Sequence, residues 1–243
     1  MKNLIDKILS RGVSEIIGVE ELRKKLETTP EKVVIKYGID PTRPDIHLGH
    51  AVCLRKLREF QDLGCKIVFL IGDFTAQIGD PTGKSQIRPE IDFAKVAANA
   101  QTYIEQVKGI LDTKNKDRFI WLRNSDWYYS INDLVTPDNF ELSISAKDQE
   151  GNEKGGMKMK LPANHYLAKA QAWNDSRQVK GATRNVSLFN IIRVLRKITH
   201  SRLIERDLFQ ERIKSGEPLF MHEMLYPVLQ GIDSHVISEY FGK

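Results

Sequence analysis

Three short, near-continuous apolar runs constrain this chain more than any other feature: "KVVIKYGI" (32–39), "KIVFLIGDF" (66–74) and "RFIWLRNSD" (118–126). Rich in β-branched residues and lacking polar alternation, they read as strands buried on both faces. Between the first two, Val52, Leu57, Phe60 and Leu63 recur with helical spacing from Gly49 until Gly64 stops them. Residues 89 to 112, opening at Pro89, form a second helical stretch before the third run. Strand, helix, strand, helix, strand of this kind predicts an α/β fold with a parallel, doubly wound sheet. Its crossovers should be right-handed. At 243 residues there is material for one large domain or two small ones.

The flanks are different in character. Residues 3 to 26 have helical spacing. After Trp127, "FELSISA" and "GMKMKLP" alternate on either side of "KDQEGNEKG", the pattern of a β-hairpin. Ser187 is placed to cap one long helical segment closed by Gly216 and Pro218, and a last helix begins near His222. The chain thus divides into a first α/β part (1–130), a hairpin-bearing stretch (131–187) and a helical part (188–243). Charged residues make up 28% and hydrophobic ones 41%, with no run of about 18 apolar residues, so a globular protein that does not span a membrane is expected. Cys53 and Cys65 sit inside regular segments, which predicts buried, reduced thiols and a cytoplasmic setting. The net charge of +5 mildly favours a polyanionic partner.

In parallel sheets, ligands collect beyond the carboxyl ends of the strands. Two loops lie there: Gly38 to His50, and "GDFTAQIGDPTGKS" (72–85). A helix starting near Gly49 offers free N–H groups and a positive dipole end, which suit a phosphate. His47 and His50, three apart, share one side of its first turn and can donate to a phosphoryl group as charge builds. Gly49 lets a nucleotide approach the backbone. The plainer alternative is that both imidazoles are solvated or cap the helix. In the second loop, three residues rather than four separate Gly79 from Gly83, which rules out a Walker A loop. Asp80 could still meet an ammonium or hydroxyl and Lys84 a phosphate, although an ordinary turn would contain the same residues. Lastly, Tyr226, Gln230 and Asp233 fall at i, i+4 and i+7, one face of a helix, suited to a polar cavity or to solvent. No metal-ligand spacing stands out.

Taken together, the segments resemble a known family. "GIDPTRPDIHLGH" is similar to the HIGH signature of class I aminoacyl-tRNA synthetases, and "GDFTAQIGDPTGKS" and "YPVLQGIDS" resemble the two further segments of tyrosyl-tRNA synthetases. The likeness implies a Rossmann-like sheet with a HIGH-type nucleotide site, an inserted hairpin and a helical connective region. It implies a tyrosine–tRNA ligase: tyrosine and ATP, with Mg²⁺, give tyrosyl-adenylate, and the tyrosyl group passes to tRNA(Tyr). By motif, His47, His50, Thr42 and Lys84 would act in catalysis on the ATP phosphates. Asp40, Pro41 and Gly49 would complete the ATP site. Tyr37, Gly38, Thr75, Asp80, Tyr226, Gln230 and Asp233 would line the tyrosine pocket, with Asp233 accepting from the phenol. Residues 188–220 match the connective region through which the family forms homodimers.

Several features depart from the family pattern. Lys36 stands where many members place a second hydroxyl-binding tyrosine, and residues 131–187 are longer than the usual link, which implies an insertion. The second half-sheet, the KMSKS-type loop and the anticodon-binding domain have no counterpart here, so the chain is expected to be a truncated or partial form, the N-terminal part of the catalytic domain. Two other readings remain: another nucleotidyl transferase with a His-x-Gly-His helix start, and a non-catalytic, synthetase-derived RNA-binding protein, which Lys154, Lys158 and Lys160 in the hairpin would suit.

Overall fold

The strand-helix alternation folds as its hydrophobic pattern dictates. The computed structural model describes residues 2–78, 91, 93–128, 140–147, 153–161, 186 and 188–242. In chain order, helices α1 (Lys2–Ser10) and α2 (Val19–Thr28) precede strand β1 (Val34–Ile39), helix α3 (Leu48–Asp62) and strand β2 (Lys66–Ile71). The short helix α4 (Thr75–Ile78) and helix α5 (Phe93–Val107) lead to strand β3 (Phe119–Arg123) and the short helix α6 (Ser125–Tyr128). Strands β4 (Phe140–Lys147) and β5 (Glu153–Leu161) follow, then helices α7 (Leu188–Leu195), α8 (His200–Ile204), α9 (Asp207–Ser215) and α10 (Met221–Tyr240). These elements fall into two units, Met1–Asn124 with Ile198–His235, and Ser125–Lys197 with Val236–Lys243.

In the first unit, β1, β2 and β3 form a parallel sheet in that order, as expected. The middle strand is buried from Ile67 to Ile71. On one face Ile67, Phe69 and Ile71 join Leu54 and Leu57 of α3 and Tyr103, Ile104 and Val107 of α5 in one apolar cluster. Burying each such side chain is worth about 1.5–3 kcal/mol, which makes this cluster the main support of the sheet. A second cluster at the opposite end of the strands ties α1 and α2 to the sheet through Ile5, Leu9, Leu26 and Cys65. Gly64, at φ 106°, makes the turn between α3 and β2 that a side chain would resist. Among the described residues, no helix is long and apolar enough to cross a membrane.

Three local expectations need correction. The segment 188–216 is not one helix. Thr199 takes an extended backbone (ψ 150°) and accepts from Arg202 N, starting α8 afresh, and Arg206 is extended again (ψ 134°) before α9. Among the described residues of the stretch 89–112, the helix covers Phe93–Val107 and gives way to a turn before Leu111. Cys53 is exposed; only Cys65 is buried. Cys53 lies one turn before Leu57, near the start of α3, and stays open to solvent.

The buried pair Arg212–Glu223 (Nη1–Oε1 2.9 Å, each side chain 6% exposed) joins α9 to α10. Glu223 also accepts from Phe220 N at 2.9 Å, so its carboxylate caps the start of α10. That helix runs through Pro227, whose missing N–H removes one internal bond.

In the second unit, β4 and β5 pair antiparallel from Phe140↔Leu161 to Lys147↔Glu153, with an irregularity at Ala146/Lys147. Val186 N donates to Trp127 O at 2.7 Å, attaching the segment before α7 to α6.

Candidate active site

The loop from Asp40 to His47 leaves the carboxyl end of β1 and is held by one helix. From α5, Asn99 Nδ2 donates to Pro41 O at 2.9 Å, Gln106 Nε2 to Pro44 O at 3.0 Å, and Gln106 Oε1 accepts from Ile46 N at 3.0 Å. Thr102 also donates to Pro44 O. Proline supplies no N–H to such a loop, and here its carbonyls do the bonding. The loop delivers His47 to the N-cap position of α3 in an extended conformation, and the helix starts at Leu48, one residue before the start read from the sequence.

The two histidines are stacked, with ring centroids 3.8 Å apart and 18° between planes. His47 N donates to His50 Nδ1 at 3.2 Å. A ring accepting at Nδ1 carries its neutral-form proton at Nε2, which fixes the tautomer. Burial, and then the neighbouring His47, push the His50 pKa below its ordinary value, so the neutral form is favoured. The capping alternative is therefore also true: His50 satisfies an N-terminal N–H and keeps a second N–H to offer. A Cβ on Gly49 would lie 3.0 Å from His47 Cε1 and 3.1 Å from its Nδ1. The glycine thus makes room for the stacked ring, a demand the sequence reading attributed to an outside ligand.

Behind these rings lies a relay of polar groups spanning three strand ends. Asp40 accepts from Thr75 Oγ1 at 2.8 Å and from the Tyr226 hydroxyl. Thr75 Oγ1 in turn accepts from Asn124 Nδ2 at 3.0 Å, and Asn124 Oδ1 accepts from Phe74 N at 2.9 Å. Asn124 and Thr75 are buried, so this pairing offsets a desolvation cost of about 1–3 kcal/mol for each group that would otherwise be unpaired. Gly72 is required for it: a Cβ there would collide with Asp40 Oδ1 and Thr75 Oγ1.

On the opposite face of the sheet from α3 and α5, α10 lies against β1. Lys36 Nζ donates to Ser234 Oγ at 3.2 Å and to Gln230 O at 3.4 Å. Asp233 is 3% exposed. Burial lowers the Lys36 pKa from its ordinary value, and the Asp233 carboxylate opposes that shift.

These parts line one open cleft of about 1020 Å³. Of the residues singled out in the sequence, Tyr37, Gly38, Asp40, Thr42, His47 and His50 line it from β1 and α3. Thr75 and, from α10, Tyr226, Gln230 and Asp233 line it as well. Pro41 and Gly49 do not: the first is buried under Asn99, the second sits behind His47. Asp80 and Lys84 lie outside the described residues. Sequence reasoning gave no site role to Lys36, Arg43, Asp45, Tyr103 and Ser234, which also line the cavity. Lys36 carried the clearest signal, a charge inside an otherwise apolar strand. Among the described residues no cluster of three or more His, Cys, Asp or Glu is arranged to hold a metal ion.

A cavity beyond the carboxyl ends of parallel strands, beside a helix N-terminus, is the architecture of Rossmann-like α/β ligand-binding proteins. The chain belongs to the class I tRNA synthetases of the W and Y group, whose family model matches residues 28–135 and 163–240. It is 40% identical over 227 residues to the tyrosine–tRNA ligase of Francisella tularensis, a match covering 93% of this chain and 42% of that protein. With the tyrosine–tRNA ligase of Deinococcus radiodurans it shares 37% identity over 228 residues, 93% of this chain and 41% of the relative. A C-terminally truncated mitochondrial tyrosyl-tRNA synthetase of Aspergillus nidulans has the same fold, with a TM-score of 0.60 at 19% identity over 95% of this chain and 52% of that one. The chain spans less than half the length of the two ligases. The family resemblance and the α/β fold class read from the sequence are borne out.

Proposed function

We propose that this chain carries the amino-acid-activating site of a tyrosine–tRNA ligase. The reading rests on one observation: a single cavity is lined both by the stacked histidines at the start of α3 and by the polar stripe of α10. The sequence likeness to tyrosine–tRNA ligases, extending over 93% of the chain, points the same way.

In the reaction, a tyrosine carboxylate oxygen attacks the α-phosphorus of ATP. The bond from that phosphorus to the bridging oxygen breaks, and pyrophosphate leaves with the electron pair. His47 and His50 donate to phosphate oxygens as charge shifts onto them; the Nε2–H of His50 is free of the capping bond and serves this purpose. Thr42 and Lys84 assist on the phosphates, and Asp40 lies on the nucleotide side, while Pro41 and Gly49 act only by shaping the loop and making room for the His47 ring. Tyr226 and Gln230 hold the α-ammonium; Tyr37, Gly38, Thr75 and Asp80 surround the side chain; Asp233 accepts from the phenol. Mg²⁺ enters with ATP as part of the substrate, held by phosphates and water. Transfer to tRNA(Tyr) follows, to which the net charge of +5 is favourable. A cytoplasmic homodimer formed through residues 188–220 completes the proposal, since α7 exposes Leu188 and Ile192.

The test is exchange of labelled pyrophosphate into ATP, with equilibrium dialysis of tyrosine beside it. Exchange that depends on tyrosine and not on phenylalanine or tryptophan supports the proposal. A folded chain that neither binds tyrosine nor supports exchange sinks it.

A further inference from the structure

Tyr103 carries a hydroxyl that the reaction above does not use. The residue lies on α5 between Asn99 and Gln106, two of the side chains that hold the loop after β1. Its ring, 1% exposed, belongs to the apolar cluster between the sheet, α3 and α5, where a phenylalanine would pack equally well. A buried tyrosine hydroxyl ordinarily finds a partner, because an unpaired one has given up its bonds to water. Here the oxygen faces the Arg43 backbone N–H, and among the described residues no side chain takes the proton. Burial raises the Tyr103 pKa; the Asp40 and Asp45 carboxylates add to the rise, while the Arg43 N–H and guanidinium oppose it. The phenol therefore stays protonated and has a hydrogen to donate.

The neighbours define what it can donate to. Tyr103 lines the cleft together with Arg43, His47 and His50. Its ring centroid is 6.1 Å from that of His50, with 54° between the planes. Two neutral donors, the Nε2–H of His50 and the phenolic O–H, thus border one space at the start of α3, with the exposed Arg43 beside them. Of the two carboxylates nearby, Asp40 already accepts at both oxygens, from Thr75 and from Tyr226. Neutral donors grouped at a helix N-terminus suit an anion, and a phosphate turns a separate oxygen to each.

We propose that Tyr103 is a further catalytic residue: its hydroxyl donates to a non-bridging phosphate oxygen of ATP, beside the Nε2–H of His50. The proton stays on Tyr103 throughout. This rests on the reading of the cleft as an amino-acid-activating site and adds a donor from α5, a helix that reading leaves idle. The competing role is structural, with the hydroxyl merely bracing the loop through the Arg43 N–H.

Calorimetric titration with ATP, adenosine and tyrosine separates the two roles in the unaltered chain and in Tyr103→Phe, with each melting temperature recorded. The substitution keeps the ring and removes one oxygen. ATP binding should weaken roughly 10- to 100-fold, while adenosine and tyrosine bind as before and the melting temperature does not fall. Unchanged ATP binding, or an equal loss for all three ligands, overturns the proposal in favour of the bracing role. If Tyr103→Phe does not fold, the unaltered chain decides: with ¹³C-labelled tyrosine, ATP should shift the resonance of the Tyr103 ring carbon that bears the hydroxyl, and adenosine should leave it in place. The same response to both ligands, or none to either, overturns the proposal. An unaltered, folded chain that binds tyrosine but not ATP overturns this inference alone. One that binds neither overturns the activating-site reading, and this inference with it.

Discussion

Tyr226 and Asp40, 186 positions apart, share a hydrogen bond that ties the helix nearest the end of the chain to the loop after the first strand. Asp40 also accepts from Thr75, so one carboxylate joins three segments distant in sequence. Removing the hydroxyl in Tyr226→Phe should lower the unfolding free energy by about 1–3 kcal/mol, since the acceptor is charged. Urea denaturation measures it: the midpoint should fall while the slope stays constant. An unchanged midpoint would show that the bond contributes nothing net.

Gly72→Ala tests the relay from the other side. The new methyl collides with Asp40 and Thr75, so either the backbone of β2 shifts or the carboxylate swings away. A cost of about 1–3 kcal/mol is expected, as for other overpacked sites. Thermal unfolding reads the loss. Ala at Gly38, where only ordinary contacts await, should cost far less by the same measurement.

His50 should titrate below the ordinary histidine value of 6.5, because burial and then His47 disfavour its charged form. The sign of the linkage follows: on acidification the unfolded chain takes up this proton first, so stability falls from about pH 6.5 down to the lower folded value and then levels. The proton resonances of the ring, followed by NMR, locate the midpoint. In His47→Ala the midpoint should rise only part of the way, since burial is the larger cause.

The Arg212–Glu223 pair is sealed from solvent, and Glu223→Ala would leave a buried guanidinium with the more distant Glu217, 3.9 Å from Nε. Breaking one side of such a pair costs about 3–5 kcal/mol. Glu223→Gln, which retains an acceptor, should lose less. Calorimetric melting of the two variants checks the order.

The two thiols should differ. Burial pushes the Cys65 thiol up to about 11, whereas Cys53 is exposed. At pH 8 a disulfide reagent should modify Cys53 in the folded chain and reach Cys65 only on unfolding. Mass spectrometry after brief labelling distinguishes them; rapid double labelling would contradict the packing of α1 and α2 over Cys65.

What could be read from the sequence was what depends on neighbours within a few positions. "KIVFLI" is a buried strand in any context, and His47 to His50 mark a helix start because capping is local. The break at Arg196–Thr199 was hidden because apolar spacing continues through it, and Thr199 reveals itself only through its bond to Arg202. Lys36 was legible as a departure at a pocket position, but its bonds were not, because its partners stand 194 and 198 residues away. Thr75 and Asp40 were identified singly; their junction through Gly72 needed the sheet to be formed.

The reach from Asp40 to Tyr226 also sets a clock on synthesis. A ribosome adding about 5–20 residues per second needs roughly 10 to 40 s to pass from one to the other. The three parallel strands, complete by Arg123, are made in the first half of that journey, while the wall supplied by α10 comes near its end. A nascent chain therefore passes through a long interval in which the sheet exists and the face bearing the Lys36 ammonium still lacks α10. Only with α10 in place do the Lys36 bonds to Gln230 and Ser234 exist.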